Sequence, residues 1–129
     1  MMGLLGARLH GIEKQCGMVT LMSCRTQVSS TRIRVPDLIF LPRFRPLAGI
    51  VNRPPFLCVE ILSPLDRYVE THERVGDYLK FGVQYIWVID PDTKLATVYT
   101  PDGVHEVKDG VLTTQIPDIT IDLNDPDPE

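Results

Sequence analysis

The sequence predicts a single α/β (α+β) domain: a mixed β-sheet core crossed by one helix and closed by a C-terminal β-meander. Three observations predict it. The apolar run "FLCVEIL" (56–62) reads as a strand buried on both faces, which places it near the centre of a sheet. The amphipathic segment "DRYVETHERVGDYLKFG" (66–82) follows it and leads into "VQYIWVID" (83–90), rich in β-branched and aromatic residues. Turn signals at "PDTK" (91–94), "PDG" (101–103) and "KDG" (108–110) then punctuate short segments. A chain of 129 residues holds one core, not two.

The elements follow in order. Residues 3–15 predict a short helix with Leu4, Leu5, Leu9 and Ile12 on one side. "MVTLMSCRTQV" (18–28) alternates as a strand, and "RVPDLIFLP" (34–42) is a second, with Pro36 near its start, where a missing N–H does least harm. Prolines and a glycine make 43–55 a loop, after which the third strand (56–62) begins. In the helix over 66–82, Asp66 is the expected N-cap after Pro64. Val75, Tyr78 and Leu79 form its apolar face, and Gly82 ends it. The strand–helix–strand step from 56 to 90 implies a right-handed crossover between parallel neighbours. "LATVYT", the short "VHEV" and "ITIDL" supply the meander. The domain is expected to span 1–123, and the acidic tail "NDPDPE" (124–129) to be disordered.

Bulk properties narrow the function classes. No apolar run approaches the roughly 20 residues needed to span a bilayer, and the start of the chain lacks a signal-peptide pattern. The three cysteines form no CxxC pair and, being odd in number, no disulfide framework, so a reducing, cytoplasmic setting is expected. Cys58 and Trp87 read as core. The net charge of −4 conceals a basic stretch, Arg25, Arg32, Arg34, Arg43, Arg45 and Arg53, broken by one acid, Asp37. Such a stretch can meet phosphate locally or be a solvated surface. His10, His72 and His105 show no ligand spacing, and there is no glycine-rich phosphate loop, GxSxG or HExxH.

Two carboxylates stand where charge is costly. Glu60 sits inside "FLCVEILSP", and Asp37 opens the strand after Pro36. Adjacent strands can bring them side by side, where they repel unless a cation lies between them. Hard oxygen ligands favour Mg²⁺ or Mn²⁺, and such a metal can activate water for attack on a phosphodiester.

"VPD", then "EILSP", then a helix ending "DYLKFGV" and the strand "YIWVIDP", taken in that order, resemble the Uma family of restriction-endonuclease-like proteins, within the PD-(D/E)xK nuclease superfamily. The likeness covers roughly residues 18–123. It implies a restriction-endonuclease-like fold and a metal-dependent nuclease acting on DNA, commonly as a homodimer. The apolar meander at 94–123 could supply an interface. Carried over, Asp37 and Glu60 are the metal ligands and the backbone carbonyl of Ile61 a possible third. Ser63 matches the serine after the Glu strand, as a substrate contact or the start of a turn. Arg34 is a substrate-binding candidate from the basic stretch.

The sequence departs from the family pattern in three places: the motif lysine, a short N-terminus, and a helix after Ser63 and Pro64 that opens with few of the polar residues expected to line a DNA groove. Leu62 stands where the motif lysine belongs, and Arg74 takes the place of the lysine that relatives carry on the following helix. At 100° per residue, Arg74 lies about 40° from Tyr78, whereas Lys80, the nearest true lysine, lies about 160° away. Arginine stays protonated, so it can steady a phosphate but is a poor base. The N-terminus also looks short, leaving Glu13 as the nearby acid that could complete a metal site; Glu70 could join from the helix. These departures leave open a degenerate relative that binds DNA or a protein partner without catalysis. A phosphodiesterase of a small substrate is the weaker alternative.

Overall fold

The computed structural model describes residues 1–43 and 49–125. Arg45, part of the loop expected over 43–55, and the tail from 126 onward lie outside the described residues. Two short helices come first, α1 (Met2–Gly11) and α2 (Glu13–Cys16). Four strands follow: β1 (Met18–Met22), β2 (Thr26–Ser29), β3 (Arg32–Arg34) and β4 (Leu38–Pro42). Then come β5 (Leu57–Ile61), the long helix α3 (Tyr68–Phe81), β6 (Tyr85–Ile89), β7 (Ala96–Thr100) and β8 (Gly103–Val107). A final hairpin is made by β9 (Val111–Thr114) and β10 (Ile119–Asp122).

Among the described residues, a six-stranded mixed sheet runs in the order β1-β4-β5-β6-β7-β8. β5 and β6 are parallel and joined through α3, the crossover expected of 56–90, whereas the other neighbours run antiparallel. Both faces of β5 are covered, so its run is apolar throughout apart from Glu60. Val59 faces a core closed by Leu5 and Leu9 of α1 and by Leu112, Ile119 and Ile121 of β9 and β10. Cys58 faces the opposite core, where Ile39, Leu41, Ile86 and Val88 meet Val75 and Tyr78 of α3. Cys58 and Trp87 are fully buried, as expected.

Several boundaries differ from the sequence expectation, each for a local reason. The strand expected over 18–28 breaks at Ser23, whose φ of 50° turns the chain out of the sheet. Residues 26–29 pair instead with β3 in a separate hairpin. The strand expected over 34–42 divides at Pro36, which has no N–H to offer a ladder. Asp66 does not cap α3: Arg67 holds that position in an extended conformation, with no side-chain cap. Asp66 Oδ2 accepts the Ser63 N–H at 2.7 Å, and the Asp66 N–H returns to the Ser63 carbonyl, closing a turn one step earlier. Gly82 does end α3, at φ 111°, with its N–H on the carbonyls of Tyr78 and Leu79. Strand β9 has no counterpart in the sequence reading. Its partner β10 is the expected "ITIDL" segment, and the apolar side of this hairpin packs into the chain's own core. Asn124 Nδ2 donates to the Asp109 carbonyl, tying the start of the acidic tail to the turn before β9.

Candidate functional site

The pairing of β4 with β5 sets Leu38 against Val59, and one further step sets Asp37 opposite Glu60. Side chains alternate along a strand, so Asp37 shares the α3-facing side with Ile39 and Leu41, and Glu60 shares it with Cys58. Pro36 ends the ladder at this point. There the Asp37 carboxylate takes over as acceptor: its Oδ2 receives the Ile61 N–H at 2.7 Å. Asp37, Glu60 and Ile61 therefore meet where β4 begins and β5 ends.

Helix α3 supplies the other side of the site. Tyr78 donates its hydroxyl to Glu60 Oε1 at 2.5 Å. Arg74, one turn earlier, places Nε 3.8 Å from the same oxygen and Nη2 3.5 Å from Asp66 Oδ1. Its Nη2 also donates to Thr71 Oγ1 at 3.4 Å, while its buried Nε has no hydrogen-bond partner among the described residues. Arg74 thus lies between two acids, drawn toward Glu60 without bonding it.

Glu60 is 5% exposed, and the electrostatics follow from that burial. Loss of hydration pushes its carboxyl up to about 7. The Tyr78 hydrogen bond and the Arg74 charge pull it down, and repulsion from Asp37 and Asp66 raises it again. Tyr78 is in turn held above its usual range, by burial and then by Glu60. Burial also raises the Cys58 thiol, with Glu60 adding repulsion, so Cys58 stays a protonated core residue.

The other candidates lie elsewhere or are engaged. Arg34 Nε pairs with Asp77 Oδ2 at 2.8 Å and Arg32 Nη1 with the same oxygen at 3.1 Å, so both arginines tie β3 to α3. Burial raises the Asp77 carboxyl, but these two arginines outweigh it and hold it below its usual range. Ser63 is exposed, and its backbone closes the turn with Asp66. Leu62, in the place of the motif lysine, is half-buried and gives its N–H to the Ile89 carbonyl. Glu13 accepts the Thr20 N–H and pairs with His10, occupied at the β1 edge. Lys80 and Glu70 are exposed on α3.

Sequence reasoning missed two members of the site, Tyr78 and Asp66. A tyrosine on an apolar helix face reads as core, and an aspartate after proline reads as a cap. The available signal was the spacing of Arg74 and Tyr78, four apart and therefore neighbours on one helix face.

Among the described residues, no group of three or more His, Cys, Asp or Glu side chains could enclose a metal. Mg²⁺, however, commonly binds through one or two carboxylates and keeps several waters. Two carboxylates at one strand end, one of them raised by burial and then by its acidic neighbours, fit such a hydrated ion.

No curated protein sequence matches the chain. It is similar in fold to a crystal structure from Anabaena variabilis ATCC 29413, described as a "putative nuclease belonging to DUF820", with a TM-score of 0.74 and 23% identity. The match covers 88% of this chain and 68% of that one. The sequence pattern of the Uma2 family, described as "Putative restriction endonuclease", matches residues 2–124, and the chain belongs to that family.

Proposed function

We propose that this protein is a metal-dependent nuclease that hydrolyses phosphodiester bonds in DNA. The observation that carries the reading is the meeting of Asp37 and Glu60 at one end of adjacent strands, with Arg74 held against Glu60. Asp37 and Glu60 would hold Mg²⁺ or Mn²⁺, with the Ile61 carbonyl as a further oxygen donor. When bound, the ion supplies charge neutralisation and a more acidic water. Tyr78 fixes the Glu60 carboxylate. Arg74 carries a permanent positive charge beside Glu60, suited to steady phosphate charge at the site. It cannot take a proton from water, and no lysine stands two residues after Glu60 to assist.

That last point favours a second reading, a relative that binds DNA without cutting it. Calorimetric titration with Mn²⁺ and a plasmid-nicking assay separate the two. The nuclease reading expects Mn²⁺ binding and nicking in the wild type, and loss of both in Asp37→Asn and Glu60→Gln. Nicking that survives both substitutions would sink it. Salt-dependent DNA binding that persists in EDTA, with no nicking under any divalent metal, would establish the second reading instead.

A further inference from the structure

Beside the Asp66 turn lies an aromatic cluster, with Tyr68 and His72 exposed on α3 and Tyr99 at the margin of the core. Tyr68 opens α3 and is 77% exposed, an unusual position for a large ring. His72 follows one turn later with its ring 4.1 Å from that of Tyr68, the planes inclined by 40°. Tyr99 of β7 stands edge-on to His72 at 6.0 Å and 87°. Two adjoining clefts of about 290 and 370 Å³ share Tyr68, His72, Thr97 and Tyr99 in their walls. The first also reaches Leu62, Asp66 and Arg67, and Asp66 is the acid paired with Arg74. The first cleft therefore shares Asp66 in its wall with the candidate site.

Charge gives the cleft a direction. Arg67 lines the first cleft, beside the Arg74-paired Asp66, and Glu106 lines the second. A ligand with a flat π-face and an anionic backbone would lay its backbone toward Arg67 and its flat part across the rings. Stacking on tyrosine and histidine accepts any base because every base has a π-face. A base paired inside a duplex has both faces covered by its neighbours and cannot offer one.

We propose that Tyr68, His72 and Tyr99 form a stacking platform for an unpaired nucleobase flanking the phosphodiester at the carboxylate site. The protein then prefers single-stranded or frayed DNA to closed duplex. This inference rests on the nuclease reading of that site.

The test uses the full chain in EDTA and a single-stranded oligonucleotide carrying 2-aminopurine, titrated beside the same sequence as closed duplex. Binding is expected to quench the single-strand signal, with affinity at least about ten-fold above that for duplex. Tyr68→Ala should weaken single-strand binding roughly ten-fold or more, and Tyr68→Phe should retain it. Tyr99→Phe should also retain it, because the ring and not the hydroxyl stacks. Equal affinity for both forms, or Tyr68→Ala binding like the wild type, overturns the proposal. Asp37→Asn keeps the two ideas apart: quenching that persists in this variant supports the platform whatever the cleavage assay shows. Cleavage lost in Asp37→Asn, with binding indifferent to Tyr68, overturns the platform and leaves the nuclease reading standing.

Discussion

Glu60 is the residue whose environment is most demanding. Its carboxyl is raised from 4.5 to about 7 in the fold, so between those values the folded state holds a proton that the unfolded state has released. The associated stability is complete below about 4.5 and is lost as pH rises through 7, amounting to roughly 3 kcal/mol. Urea unfolding at pH 4.5 and 7.5 should show this fall in the wild type and a much smaller one in Glu60→Gln. Equal falls in both would mean that another group carries the pH dependence. The acidic pair was legible in the sequence because a charge inside an apolar run has few innocuous explanations. The partners of the pair were not. Tyr78 differs from any core tyrosine only in what its hydroxyl reaches, and that depends on the spacing between β5 and α3, which no local pattern encodes.

At the scale of elements, α3 joins the fold to the site. Thr71, Val75 and Tyr78 are buried along its inner side, Arg74 reaches the acids from the edge of that side, and Asp77 anchors the β2–β3 hairpin through Arg32 and Arg34. Its C-terminal stop is therefore a point of leverage. Gly82 has a φ of +111°, and a Cβ there would meet the Pro54 ring at 3.3 Å. Gly82→Ala should cost about 1–2 kcal/mol in chemical denaturation. A neutral result would show that the loop carrying Pro54 yields freely. The helix itself was legible from its periodicity and its terminal glycine. Its first turn was not, because Asp66 satisfies Ser63 in a tight turn with the same side chain that a cap would use. The strands were legible as apolar runs but not where they stop. Alternation continues through Ser23 and Pro36, where the backbone leaves the sheet.

The whole molecule depends on a sheet covered on both sides. No helix among the described residues is long and apolar enough to cross a membrane. The N-terminal helices are brief for a lid, yet Leu5 and Leu9 are fully buried in the core that holds Trp87. Leu9→Ala should cost roughly 2–4 kcal/mol, read as a lower urea midpoint with an unchanged slope. A cost below 0.5 kcal/mol would mean the helix is dispensable to this core. The crossover and the mixed sheet were legible because the order of periodicities fixes them. Strand β9 was missed because four residues between two turn-rich segments carry too little pattern. The bond between Asp37 and the Ile61 N–H has a consequence for reading relatives. That carboxylate holds two strands together where proline leaves the ladder unfinished, so it has an architectural duty independent of any reaction. A descendant that had lost its chemistry would still be under pressure to keep it. Retention of Asp37 across a lineage would therefore testify to the fold before it testified to catalysis.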